Sequence, residues 1–285
     1  MPQPTPARPT TSVVGPGVVA LQGLEGLPDV EAEAVALVTQ AVEAAFADGQ
    51  HRVEAAIPTD ATPLRRVLQR SGLRPEGVAR GAGQSDPATP HTDLLRLARL
   101  GDDPPPGTRP AFRAMLDATL PLKRLIVQGL IRDGQGRILL CELTYKKDWD
   151  LVGGVAEPAE SPVTSLEREV REELGLDLSV GELVAVDWLP PYRQWRDALL
   201  LVFDLGVHPD LAERATLQPT ELAATHWCTV QEARGRVAPY VHRLLESLGD
   251  TLRDGAGGRT LFLEDGEPRT DHGPSRAEHD RPRTD

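Results

Sequence analysis

The sequence predicts an α/β fold in two parts, and three observations carry that expectation. Short apolar runs bounded by turn residues alternate with helical patterns along most of the chain. One helix near the middle has a full set of start and stop signals: Ser161 as cap, Pro162 at the first helical position and Gly175 to end it. Between the smaller first group and the larger second group lies Gly101-Asp102-Asp103-Pro104-Pro105-Pro106-Gly107-Thr108-Arg109-Pro110, a linker stiffened by proline. A length of 285 residues suits one large domain or two modest ones.

In the first part, residues 1–12 are rich in Pro and Thr and are expected to be disordered. Residues 13–24 read as a strand interrupted by Gly15-Pro16-Gly17. Residues 29–46 have helical character, with Val35, Val38, Val42, Ala45 and Phe46 on one face and Asp48-Gly49 at the end. Residues 52–57 alternate as a strand, Pro63 opens a second helix that Gly72 closes, and residues 91–100 form a further strand. The first domain therefore spans 13–100 and the linker 101–120, with a short helix expected over 112–120 on the way into the second domain.

The second domain, placed at 121–266, begins with a hairpin: residues 124–131, the turn Asp133-Gly134-Gln135-Gly136, and residues 137–143. After the capped helix come strands at 184–188, 198–205 and 226–230 and a closing helix at 237–252. Residues 255–285 turn polar, and disorder is expected over 267–285.

The capped helix carries the chemistry. Val163, Leu166, Val170 and Leu174 form its apolar stripe, and Glu169, Glu172 and Glu173 lie together along one edge of it. Three carboxylates so placed repel one another and destabilise a bare helix. A hard divalent cation reverses that sign, because Mg²⁺ favours carboxylate oxygen alongside substrate phosphates. Gly153-Gly154 lets a backbone carbonyl approach the same ion without a side chain in the way. From Gly154 to Leu176 the residues follow Gly-x5-Glu-x7-Arg-Glu-U-x-Glu-Glu-x-Gly-U, with U aliphatic, at every fixed position. Seven fixed matches arise by chance on the order of 10⁻⁸ per starting position at ordinary residue frequencies.

This stretch resembles the Nudix box. The resemblance implies an α/β/α sandwich with a mixed sheet, and hydrolysis of a nucleoside diphosphate linked to another group with Mg²⁺ or Mn²⁺. It implies metal ligation by Gly153, Glu169, Glu172 and Glu173, with Glu160 and Arg168 fixing the carboxylates. A further acid from a later loop often completes such a site or serves as base. Glu221 is the candidate, with Glu213 and Asp210 as competitors. Where the family usually has Pro before Gly-Gly, this chain has Val152, which removes no chemical group.

In the first domain, the order of helix, His51-Arg52-Val53-Glu54-Ala55-Ala56-Ile57-Pro58, helix, residues 71–80 and residues 91–100 resembles the C-terminal half of a GNAT N-acetyltransferase. The glycine-rich phosphate loop of that family is missing, since Leu27-Pro28-Asp29-Val30-Glu31-Ala32 carries two acids and no glycine. Asp60-Ala61 stands where the family often has Asn. The reading is a partial, non-catalytic GNAT-like module; the alternative is an unrelated small α/β domain. A half-sized fold of this kind exposes a sheet face, so a homodimer, or docking on the second domain, is an arrangement to expect.

Composition narrows the function classes. There are 43 acidic against 31 basic residues, a net charge of −12, which argues against a nucleic-acid-binding surface but not against a small nucleotide substrate. The cations expected to meet phosphate are Lys146, Lys147, Arg193 and Arg196, and the rings expected to stack on a base are Trp149, Tyr192 and Trp195. Cys141 and Cys228 read as free thiols in a reducing compartment, no run is long enough to span a membrane, and the cytoplasm is the expected location. Two other functions compete with a metal-dependent hydrolase: a bifunctional acetyltransferase–hydrolase, opposed by the missing phosphate loop, and a nucleotide sensor without turnover, opposed by the intact glutamates.

Overall fold

Gly17 takes a left-handed conformation, φ 70°, and turns the chain between β1 (Thr10–Gly15) and β2 (Val18–Gln22). The computed structural model, which describes residues 8–83, 91–192, 195–253 and 260–269, divides into two units, Met1–Pro121 and Leu122–Asp285. In the first unit α1 (Glu31–Ala47), β3 (Arg52–Pro58), α2 (Thr62–Arg70), β4 (Arg74–Gly83), β5 (Thr92–Leu100) and α3 (Arg109–Thr119) follow. The five strands form one sheet in the order β1-β2-β3-β5-β4, with β2 and β3 parallel and the other pairs antiparallel. Val38 and Val42 from α1 and Leu68 from α2 pack on Val53, Ile57 and Leu97 to make its core.

Two boundaries differ from the sequence reading here. Thr10, Ser12 and their neighbours belong to a hairpin strand rather than a disordered end, because each pairs across the turn, Thr10 with Gln22 and Ser12 with Ala20. Residues 1–7 lie outside the described residues. The short linker helix begins three residues earlier than expected, because the Thr108 hydroxyl accepts from the Ala111 N–H and Pro110 sits in the first turn. The end of the linker is thereby part of the first unit.

The second unit contains β6 (Arg124–Arg132), β7 (Ile138–Leu143), β8 (Val152–Val155), α4 (Pro162–Leu174), β9 (Leu183–Leu189), β10 (Ala198–Val207), α5 (Leu211–Arg214), β11 (Leu222–Cys228), α6 (Val230–Ala233), α7 (Pro239–Arg253), β12 (Leu261–Glu264) and β13 (Glu267–Pro268). Its mixed sheet runs β11-β7-β6-β10-β9-β12-β13, and β8 pairs with β6. The strands are apolar on both faces because both faces are covered. On one side Leu166, Val170 and Leu174 of α4 pack against Val127, Ile131, Leu139 and Phe203. On the other, Val241, Leu244 and Leu248 of α7 pack against Leu130, Leu140, Leu200 and Val202. Leu139 and Leu140, adjacent in β7, go to opposite faces, as a period of two requires. The result is the α/β/α sandwich expected for this half.

The late strand is shifted. β11 ends at Cys228, and Thr229 caps α6, its hydroxyl accepting from the Glu232 N–H while the Glu232 carboxylate accepts from the Thr229 N–H. Glu267 and Pro268 are also ordered: Leu261-Phe262-Leu263 adds to β9 in parallel, and Asp265-Gly266 turns the chain back into β13. The polar composition of the tail masked this short apolar run. Residues 270–285 lie outside the described residues.

One polar group in this core is out of balance. Asp187 on β9 is fully buried and neither carboxylate oxygen has a hydrogen-bond partner of good geometry, although the amides of Gly266 and Asp265 and the Arg243 guanidinium are nearby. Burial pushes its pKa up to about 6. The unfolded carboxyl therefore releases its proton near pH 4 while the folded one retains it to about pH 6. Stability falls as pH rises through that window, by roughly 3 kcal/mol in full, and stays lower above it. Asp187→Asn is expected to flatten this slope, melting above wild type at pH 8 and converging with it at pH 4; parallel melting curves for the two proteins over that range would refute the assignment.

Candidate active site

β8 is hemmed in so closely, by β6 at Gly153 and by α4 at Gly154, that only glycine fits at these two positions. Gly153 has φ 133°, and a Cβ there would lie 2.1 Å from the Val127 carbonyl oxygen. A Cβ on Gly154 would lie 2.6 Å from the Glu169 carboxylate. The Gly153 N–H donates to Glu173 Oε2 at 3.0 Å, which fixes the register of helix against strand. Glu173 is otherwise buried, and burial first, then Glu169, Glu221 and Asp150, raises its pKa to about 8 against the pull of the Gly153 amide. Glu169 is raised as well, by burial and by Glu172 and Glu221, in spite of Arg168.

Arg168 organises the other acids. Its Nε and Nη2 grip Glu160 at 3.0 and 3.1 Å, and its Nη1 donates to Glu169 at 3.0 Å and Glu172 at 2.9 Å. The guanidinium and the Glu157 amide hold Glu160 down at about 2. Glu160 in turn keeps Arg168 oriented, and Ser161 and Pro162 set where the helix starts relative to both. Glu221 arrives from the loop before β11, whose backbone is tied to the end of β7 by the Thr144 N–H donating to the Glu221 carbonyl at 2.9 Å. It is near enough to raise both Glu169 and Glu173. Asp210, by contrast, pairs with Arg214 on α5. Glu213 lies in the first turn of the same short helix and does not figure among the charges acting on these glutamates.

Among the described residues no three His, Cys, Asp or Glu side chains are gathered as a ready metal cage. The donor chemistry nonetheless fits a hard divalent cation: Glu169 and Glu173 are largely buried carboxylates lacking sufficient countercharge, and Gly153-Gly154 bring Cβ-free backbone up against them.

The proposed substrate contacts separate into two groups. Trp149 is spent on structure: His226 stacks on one face with centroids 3.9 Å apart, and Arg236 lies 4.5 Å from the ring centroid. With stacking and cation–π partners already in place, the ring is not free to hold a base. Lys146 binds Asp150 at 2.7 Å, and Asp150 also accepts from Gln128 at 2.6 Å, so this lysine braces the floor beneath the glutamates. Burial lowers the Lys146 pKa but Asp150 outweighs it, and the net shift is upward. Lys147 and Arg196 are exposed. Tyr192 and Trp195 pair through their backbones, the N–H of each donating to the carbonyl of the other, both rings exposed, with Arg124 over the Trp195 ring. Arg193 lies outside the described residues. The sequence reading missed Tyr145, an exposed ring between Thr144 and Lys146 that feels the charges of Glu173 and Glu221. Its place directly after β7, on the rim that Glu221 also reaches, was the available signal.

Residues 122–248 match the model of the NUDIX domain. Over 116 residues, 39% of this chain and 81% of that protein, the chain is 34% identical to a CTP pyrophosphohydrolase of Escherichia coli (strain K12). The chain belongs to the Nudix family. A MutT-like protein of Streptomyces ambofaciens is 35% identical over 139 residues, 48% of this chain and 81% of that one. The crystal structure of a MutT protein from Methanosarcina mazei Go1 is 24% identical, covers 46% of this chain and 95% of that chain, and superposes with a TM-score of 0.40. As a Nudix protein with pyrophosphohydrolase relatives, the chain is a hydrolase acting on pyrophosphate bonds. No helix among the described residues is long and apolar enough to cross a membrane.

The two glycines should fail differently. Gly153→Ala meets backbone in a strained conformation and is expected to cost roughly 3 kcal/mol or more of stability. Gly154→Ala meets only a movable carboxylate, and is expected to melt near wild type while losing ~10-fold or more in kcat. Thermal melts and turnover on both variants check this; equal loss of melting temperature would show that Glu169 cannot give way.

Proposed function

We propose that the second unit hydrolyses a nucleoside triphosphate, or another nucleoside diphosphate derivative, with Mg²⁺ or Mn²⁺. The observation that carries this reading is the set Glu160, Arg168, Glu169, Glu172 and Glu173 on a glycine-lined face, with no member missing. Glu169, Glu172, Glu173, Glu221 and the Gly153 carbonyl are the groups that would hold the ion. When bound, it neutralises charge on the phosphoryl oxygens and eases deprotonation of water. In the hydrolysis a water oxygen forms a bond to phosphorus as the bridging P–O bond breaks, the water proton passes to a carboxylate of this group, and the leaving phosphate departs. Arg168 keeps Glu169 and Glu172 from drifting apart, and Glu160 keeps Arg168 in place. Lys147, Arg196, Tyr192, Trp195 and Tyr145 are the exposed groups within this unit that suit a nucleotide. CTP is the first substrate to try, because the E. coli relative is named for it.

For residues 13–100 we propose a partial acetyltransferase-like module without transfer activity. The observed order of α1, β3, α2, β4 and β5 supports the likeness. The start of α1 opposes a phosphate cradle: Val30 offers no side-chain cap, and Glu31 and Glu33 place negative charge in the first turn.

The test is a panel of nucleoside triphosphates and nucleoside diphosphate derivatives incubated with Mg²⁺, Mn²⁺ or EDTA, with phosphate or pyrophosphate release as readout. Turnover is expected with metal and none with EDTA. Glu172→Gln and Glu173→Gln should each lower kcat by at least ~10²-fold while the fold persists. Near-wild-type turnover in both, at saturating metal, would remove the glutamates from the chemistry.

A further inference from the structure

One groove of the first unit carries a charge opposite to that of the chain. A groove of about 590 Å³ runs between the end of α2, the start of β4 and α3. Four arginines line it, Arg66, Arg70, Arg74 and Arg109, against a single acid, Asp103. In a chain with 43 acids and 31 bases that balance is a local reversal of charge. Asp103 neutralises Arg74, and Glu31 pairs with Arg70 at 3.0 Å. Arg66 and Arg109 have no ion-pair partner among the described residues.

The remaining wall is apolar. Phe112 and Met115 face the groove from α3, a helix with no buried residue, and Pro104 and Pro106 close it from the preceding loop. Phe112 is 64% exposed, a large ring left open beside a cationic wall. The first turn of α3 lines the same groove, so the positive end of that helix adds to the arginines.

The floor has an independent irregularity. Gly72, φ 92°, lies where a Cβ would come within 2.9 Å of the Arg99 side chain and 3.0 Å of Pro106. Arg99 is 4% exposed, and although its Nη1 lies 2.8 Å from a Glu43 oxygen, its Nε has no hydrogen-bond partner among the described residues. Arg99 thus packs its side chain against Gly72, which lines the groove, with its charge paired to Glu43 and one buried donor left unmatched.

We infer that this groove binds a small organic phosphate with a flat ring, of the nucleoside monophosphate class, its phosphate on Arg66 and Arg109 and its ring against Phe112 and Met115. Arginine forks match phosphate oxygens, and a ring on Phe112 and Met115 removes exposed apolar surface. The inference does not depend on which substrate the Nudix unit takes.

The chain itself contains a reporter. It has two methionines, Met1 and Met115, so a full-length protein labelled with ¹³C at the methionine methyls gives two signals, assigned with Met115→Leu. The probes are CMP, AMP, cytidine and inorganic phosphate, each titrated in EDTA; the monophosphates carry no anhydride bond to be hydrolysed. The expected result is a saturable shift of the Met115 signal with CMP or AMP, at affinities that cytidine and inorganic phosphate do not reach. The double variant Arg66→Gln/Arg109→Gln should weaken binding by ~10-fold or more, with unchanged melting temperature and unchanged pyrophosphohydrolase activity. If the double variant is unstable, Phe112→Ser serves as the second test, expected to weaken monophosphate binding in the same assay. An unmoved Met115 signal would overturn the site, as would equal affinity in the double variant. Equal affinity for inorganic phosphate alone would overturn the nucleotide class.

Discussion

The contact between α4 and β8 is the constraint on which the rest of the second unit depends. A helix that carries four acids within seven residues, 167–173 being Glu-Arg-Glu-Val-Arg-Glu-Glu, has little reason to pack against a sheet. It does so because Leu166, Val170 and Leu174 bury the other side and because Gly153 offers Glu173 a backbone N–H. The absence of side chains on Gly153 and Gly154 is then a requirement of distance and not of flexibility, since each would place a Cβ inside another group. Arg168 supplies the complementary part, spreading one positive charge over three carboxylates.

The arrangement is unfavourable to folding where it is favourable to chemistry. Glu173 is buried with its charged form disfavoured, and Asp187, on the other side of the sheet, shows the same imbalance with no catalytic neighbour. Both are local costs that the two hydrophobic layers must offset. For Glu173 the cost has a use, because an acid already removed from water is a ready ligand for a cation.

Much of this was legible in the chain. The capped helix was readable because Ser161, Pro162 and Gly175 act locally, and the glutamate spacing because helical geometry is fixed. The return strand at 137–143 was readable from its apolar run behind the Asp133–Gly136 turn. What stayed hidden was set by distant partners. That Trp149 would be spent between His226 and Arg236, and that Leu261 would join β9, depend on pairs far apart in sequence. The edge of a polar tail is a poor place to notice three apolar residues.

The pairing of strands has a consequence for how the chain is made. β6 finds its parallel neighbour in β10, and the outer edge of β9 is not covered until β12 has been synthesised, after every helix of the unit. Parallel, non-local ladders form slowly, and they leave edges open meanwhile. The first unit has its whole sheet and core available before residue 122 leaves the ribosome. Vectorial synthesis therefore lets a completed module emerge ahead of a half whose edge β9 is exposed until its last strands arrive, and the interval between the two is the period in which this protein is most vulnerable to a chaperone's absence.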